Sequence, residues 1–185
     1  MIPNNAKIVF RGILFDVYQW QQEMFDGTFK TFERLRRKPS VTILPITGDW
    51  KIMLCEEEQP SRGKFLSTPG GQIDMTDPSP EIAAARELLE ETGHEGNLEL
   101  WIETHPYGNK IDWTVHNYIA RDIRKVAEQR LDAGERITIR LVDFDEFVEI
   151  VLHNENFRNA ELTLAVMNAL RKPGGLDELK KLLLG

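Results

Sequence analysis

The chain has 185 residues, 41% of them hydrophobic, enough for one domain with a sizeable core and a small extension. Its formal charge of -7 argues against nonspecific nucleic-acid binding, so metal ions and local arginines would have to meet an anionic substrate. A single cysteine, Cys55, in an apolar run excludes an internal disulfide, and neither an apolar leader nor a run of membrane-span length is evident; a soluble cytoplasmic protein is expected.

Residues 8–10 and 14–24 carry β-forming side chains, and Asp26-Gly27 is a hairpin signal before a third strand at 29–35. The first 39 residues therefore read as a small antiparallel β meander, closed by Arg36, Arg37, Lys38 and Pro39. Strands at 41–46 and 50–55 follow, joined near Gly48-Asp49, and 56–64 reads as an exposed loop. A helix is predicted over 79–92, with Pro80 and Glu81 in its first turn and Gly93 as C-cap. Strands at 98–104, 113–120 and 136–142 come next, then helices at 144–153 and 159–171. The expected divisions are a meander at 1–39, a central domain at 40–172 and a helical tail at 173–185. The tail is apolar on one face and is expected to pack on its own domain or on a second copy rather than on a membrane. Because strands and helices do not alternate strictly, the pattern favours an α+β fold with a mixed sheet.

The predicted helix carries the chemistry. Glu87, Glu90 and Glu91 stand at i, i+3 and i+4, so a helix brings their side chains onto one stripe. Like charges so placed repel by about a few tenths of a kcal/mol per pair. They also crowd the C-terminal turn, where the helix dipole disfavours negative charge. A solvated acidic face gains nothing from that crowding, whereas a hard divalent cation converts it into a binding site. Mg²⁺, with Mn²⁺ as the alternative ion, takes oxygen ligands and is commonly held by one or two carboxylates, waters and substrate phosphates. Such an ion lowers the pKa of a bound water for attack on phosphorus, so hydrolysis of a phosphoanhydride is the natural reaction. Arg86, beside Glu87 and four residues before Glu90, suits the orientation of a carboxylate by a forked hydrogen bond. Gly70 and Gly71 allow close backbone approach.

These residues resemble the signature of the Nudix hydrolases: a glycine, five residues, a glutamate, seven residues, then Arg-Glu-apolar-any-Glu-Glu-any-Gly-apolar. Residues 86–93 match every fixed position. The front half departs, because Asp77 stands at the first glutamate position and eight residues, Pro78 among them, separate it from Arg86. His94 takes the last, usually apolar, place. The resemblance implies a Nudix-type α/β/α sandwich, Glu87, Glu90 and Glu91 as metal ligands with the carbonyl at Gly71, and Arg86 as their orienting partner.

More diffuse features over nearly the whole chain are similar to the ADP-ribose pyrophosphatase branch: the N-terminal meander, Ala120-Arg121-Asp122, the Gly134-Glu135 loop and the helix around Glu161-Leu162-Thr163. A proline that often marks the branch is replaced by Gly108, with Pro106 two residues earlier. The resemblance implies an intertwined homodimer in which both subunits line each site. It also implies Glu135 as general base or added metal ligand, with Asp132 as the fallback. Arg34, Arg36, Arg37 and Lys38 suit a pyrophosphate clamp, against the plainer reading of a solvated edge. Phe32, Tyr107 and Trp113 suit stacking on a nucleobase, against core or interface roles. His105 and His116 have no zinc spacing.

The expected substrate is ADP-ribose or another nucleoside diphosphate derivative, cleaved to a nucleoside monophosphate and a sugar phosphate. Two other readings stay open at this point: a nucleoside triphosphate pyrophosphohydrolase, and a noncatalytic nucleotide-sensing module.

Overall fold

A computed structural model describes residues 2–60, 62–106, 108 and 110–185. Strands β1 (Lys7–Arg11), β2 (Asp16–Glu23) and β3 (Phe29–Arg36) form the antiparallel meander. The β2–β3 ladder runs unbroken from Asp16 opposite Arg36 to Glu23 opposite Phe29. Its turn is fixed by Gly27 at φ 80° and by Asp26, whose carboxylate accepts from the Thr28 amide and hydroxyl.

The central sheet contains β4 (Ser40–Thr47), β5 (Ile52–Gln59), β6 (Gly63–Ser67), β7 (Gly70–Gln72), β8 (His94–Thr104), β10 (Val115–Lys125) and β11 (Arg136–Val142). Its main path runs β11-β5-β4-β10-β8, with β6 on β5 and β7 on β4. The short β9 (Ile111–Asp112) pairs parallel with β3 and ties the meander to the domain. Helix α1 (Pro80–Thr92) covers one face of the sheet; α2 (Phe144–His153), α3 (Ala160–Leu170) and α4 (Gly175–Leu184) cover the other. Alternation along β4 explains the layers: Val41 and Ile43 pack with Ala83, Ala84 and Leu88 of α1, while Leu44 and Ile46 meet Phe147, Val166 and Leu183. The expected α+β sandwich with a mixed sheet and an N-terminal meander is the observed fold.

The expected loop at 56–64 is instead the end of β5, a turn and the start of β6. Alternation sends Glu56 and Glu58 outward, where Arg140 and Arg136 of β11 lie 3.5 and 3.7 Å away, and it sends Glu57 inward to the Ser67 hydroxyl. Cross-strand charge pairing thus overrides the poor β propensity of three successive glutamates. In the tail, Leu179 and Leu183 are buried in the larger core, and Arg121 donates to the carbonyls of Leu182 and Leu183 at the end of α4. No described helix is long and apolar enough to cross a membrane.

Candidate active site

Helix α1 starts and stops where its caps dictate. Ser79 accepts from the Ile82 amide, Pro80 occupies the first turn, and Gly93 takes φ 74°, where a Cβ would overlap the Ala127 carbonyl oxygen. That frame brings the last two turns beside β7. Glu91 turns inward and its Oε2 accepts from the Gly70 amide at 3.0 Å. Glu87 lies so close to Gly71 that any Cβ there would overlap its carboxylate. We therefore expect Gly71→Ala to fold with a near-native melting temperature while losing at least about tenfold in turnover, because it displaces Glu87. Wild-type activity in that variant would show that the carboxylate has no fixed working position.

Arg86 ties the front of the signature to its back. Its Nε and Nη2 fork onto Asp77 at 3.2 and 2.9 Å, Nη1 donates to Glu87 and Glu90 at 3.0 Å each, and Nη2 also reaches the Gln72 carbonyl at 3.2 Å. Asp77 thus serves as a partner of Arg86, and this contact holds its carboxyl below the usual range. Glu87 and Glu91 behave in the opposite way. Burial raises Glu87, and it pushes Glu91 up to about 9 despite the Gly70 amide, with Glu57, Glu87 and Glu135 adding repulsion.

A cavity of about 270 Å³ is lined by Gly70, Gly71, Glu87, Glu90, Glu91 and Glu135, among others. Asp132 lines it too, and its amide donates to Glu135 at 3.3 Å. The structure therefore brings together Gly71, Arg86, Glu87, Glu90, Glu91 and Glu135 from β7, α1 and the loop before β11. Among the described residues no three His, Cys, Asp or Glu side chains are grouped tightly enough to enclose an ion. Arg86 holds oxygens of Glu87 and Glu90, and the Gly70 amide holds one of Glu91.

Sequence reasoning missed two residues here. Arg130 approaches Glu90 to 3.9 Å, and Glu57 lies inside β5, its carboxyl raised by burial and by repulsion from Glu135. The period of two along β5 marks Glu57 as a residue on the opposite face from Glu56 and Glu58, but only pairing with β6 and β11 shows which face is inward.

A larger cleft of about 890 Å³ opens below α3. Arg37 and Trp113 line it, with the guanidinium 4.4 Å from the ring centroid, and Trp113 Nε1 donates to Ser40 at 3.2 Å. Arg36 and Phe32 lie elsewhere, on the meander. Arg36 bonds Asp112 at 3.1 Å and stacks on Tyr18, whereas Phe32 sits against Trp20 with ring centroids 6.0 Å apart. Tyr107, the third stacking candidate, lies outside the described residues. Ser40 and Thr42 of the cleft are the ladder partners of Gln72 and Gly70, so one strand pair joins the two cavities.

An α/β/α sandwich that sets a helix of acids against the glycines of β7 is the arrangement the sequence led us to expect of a phosphoanhydride hydrolase. The NUDIX domain model matches residues 36–166, and the chain belongs to the Nudix hydrolase family. An ADP-ribose pyrophosphatase of Bacillus subtilis (strain 168) is 26% identical over 150 residues, 80% of either chain. A methanol dehydrogenase activator of Bacillus methanolicus is 27% identical over 147 residues, 77% of this chain and 72% of that one. A solved ADP compounds hydrolase shares the fold at a TM-score of 0.73 over 91% of both chains, with 23% identity.

Proposed function

We propose that this Nudix hydrolase is a Mg²⁺-dependent pyrophosphatase of nucleoside diphosphate derivatives, with ADP-ribose or a related nucleotide sugar as substrate. The observation that carries the reading is the convergence of Glu87, Glu90, Glu91 and Glu135 on one cavity that a single strand pair joins to a nucleotide-sized cleft. The B. subtilis relative's name points to the same substrate class.

The residues present fit a divalent ion. Every donor is a hard oxygen, and Glu91 is buried with no cationic side chain among the described residues bonded to it. Mg²⁺ keeps several waters and needs only one or two carboxylates, so a closed cage of three is not required. Glu87, Glu90, Glu91 and the Gly71 carbonyl would hold it, and when bound it supplies Lewis acidity to a pyrophosphate and an acidified water. Mn²⁺ would satisfy the same donors.

Arg86 fixes the directions of Glu87 and Glu90. Glu135, which lines the same cavity from the loop before β11, takes the proton of an attacking water in this reading. Arg37 and Trp113 bind the nucleotide. Arg36 and Phe32 contribute from the meander, whose exposed Phe10, Phe29 and Phe32 suit burial against a second copy in a homodimer. A cytoplasmic setting accords with the buried free thiol of Cys55.

Incubation of the purified chain with ADP-ribose and Mg²⁺ is expected to release AMP and ribose 5-phosphate in equal amounts. Release of inorganic pyrophosphate from nucleoside triphosphates, with no cleavage of any diphosphate derivative, would refute the assignment.

A further inference from the structure

Two polar residues lining the large cleft, Thr42 and Glu161, are the ends of a hydrogen-bonded chain that none of these roles uses. Thr42 Oγ1 donates to Asn117 Oδ1 at 2.6 Å, Asn117 Nδ2 donates to Thr104 Oγ1 at 3.4 Å, and Thr104 Oγ1 donates to Glu161 Oε1 at 2.7 Å. The remaining amide donation goes to the Ile102 and Val115 carbonyls at 3.2 and 3.3 Å. This relay crosses β4, β10 and β8 and ends on the first turn of α3. Asn117 is only 2% exposed, and an amide buried that deeply is costly unless it is fully bonded, as it is here. The three hydrogen bonds of the relay run in one direction, toward the carboxylate, so their polarity adds.

The Thr104 hydroxyl hydrogen is committed to Glu161 Oε1, while no described residue bonds Oε2. Glu161 lies in the first turn of α3. It is the one acid among the described residues lining the cleft, against Arg37, Arg62 and Arg158. A phosphate would meet the arginines and be repelled by Glu161. The carboxylate therefore suits a neutral hydrogen-bond donor.

We infer that Glu161 is a specificity-determining residue: its free oxygen accepts a hydrogen bond from a ribose hydroxyl or the exocyclic amine of the bound nucleotide. This rests on the reading that the substrate carries a nucleotide, and it places the nucleoside half in the cleft, where Trp113, Ile111 and Val115 offer an apolar wall to the base. The Thr42–Asn117–Thr104 relay positions Glu161, and of its three members only Thr42 lines the cleft.

The test is calorimetric titration in EDTA of the wild type, Glu161→Gln and Thr104→Val with AMP, 2′-deoxy-AMP, 3′-deoxy-AMP and IMP. Glu161→Gln should weaken AMP binding about tenfold or more, since it removes a charge-assisted acceptor. One analogue should bind the wild type with the same deficit and be indifferent to the substitution. A deoxy analogue in that place identifies a hydroxyl, and IMP identifies the amine. Thr104→Val keeps the carboxylate and should give a smaller loss, about threefold, with the same analogue pattern; it carries the test alone if Glu161→Gln fails to fold. Equal AMP affinity in wild type and variants, an equal loss for all four nucleotides, or no nucleotide binding by the wild type would overturn the inference. Glu161-dependent binding without cleavage of any diphosphate would sink only the proposed activity, and cleavage of ADP-ribose with Glu161-indifferent binding would sink only this assignment.

Discussion

Replacing Glu91 by glutamine is expected to lower kcat by about a thousandfold or more while making the metal-free protein more stable at neutral pH. Both effects come from one buried carboxyl whose folded-state pKa is pushed up to about 9, chiefly by burial. In the unfolded chain the same group titrates near its ordinary value of 4.5. Between those values the unfolded chain gives up the proton and the folded protein keeps it, so rising pH favours unfolding. For this group stability is greatest below about pH 4.5, falls as pH rises toward about 9, and levels off beyond. At pH 7 the penalty is on the order of 3 kcal/mol, and glutamine, with no proton to release, escapes it. Its carbonyl can still accept from the Gly70 amide. Urea denaturation at pH 5 and pH 8 checks the linkage: the wild type should lose stability between the two and the variant should gain relative to it at pH 8. If Glu91 is a metal ligand as proposed, Mg²⁺ should stabilise the wild type more at pH 8 than at pH 5, because a ligand carboxylate must be ionised to hold the ion. A Glu91→Gln variant that turns over normally, or one less stable than the wild type at pH 8, would remove Glu91 from the place assigned to it.

The layout of the fold was legible wherever local chemistry sets an element's ends. Helix α1 could be bounded from Pro80 and Gly93, and α2 begins where Asp143 accepts from the Glu146 amide, so the residues themselves mark both limits. Reading failed where pairing between distant strands decides. Glu56 to Glu58 look like loop until Arg136 and Arg140 are placed opposite them, and the strand expected from residue 98 begins at His94 because β10 extends to pair Lys125 with it. The candidate site divides in the same way. Glu87, Glu90 and Glu91 share a helix, so their spacing alone brings them together. Glu57 and the Asn117 relay depend on register across three or more strands, which periodicity cannot supply. Asp77 is an intermediate case: its loop position was visible in the sequence, but the fork it makes with Arg86 nine residues later was not.

That fork makes Arg86→Ala the most disruptive single change expected among the charged residues of α1. The guanidinium directs five hydrogen bonds to Asp77, Glu87, Glu90 and the Gln72 carbonyl, and its side chain is only 27% exposed. Removing it leaves Asp77 without its cation and sets Glu87 against Glu90 one turn away with nothing between them. Breaking a largely buried pair by deleting one partner costs about 3 kcal/mol, and here several carboxylates lose the same partner. Chemical denaturation should therefore show a loss of at least about that size. Turnover should fall about a hundredfold, because Glu87 and Glu90 are no longer held in direction. Arg86→Lys separates charge from geometry. Lysine restores one positive charge but not the planar fork that grips both Asp77 oxygens, so it should recover part of the stability and little of the activity. Calorimetric Mg²⁺ titrations of the three proteins complete the test: affinity should follow activity rather than charge. A lysine variant with wild-type stability, metal affinity and turnover would mean that the fork is dispensable and that Arg86 acts only as a counter-ion.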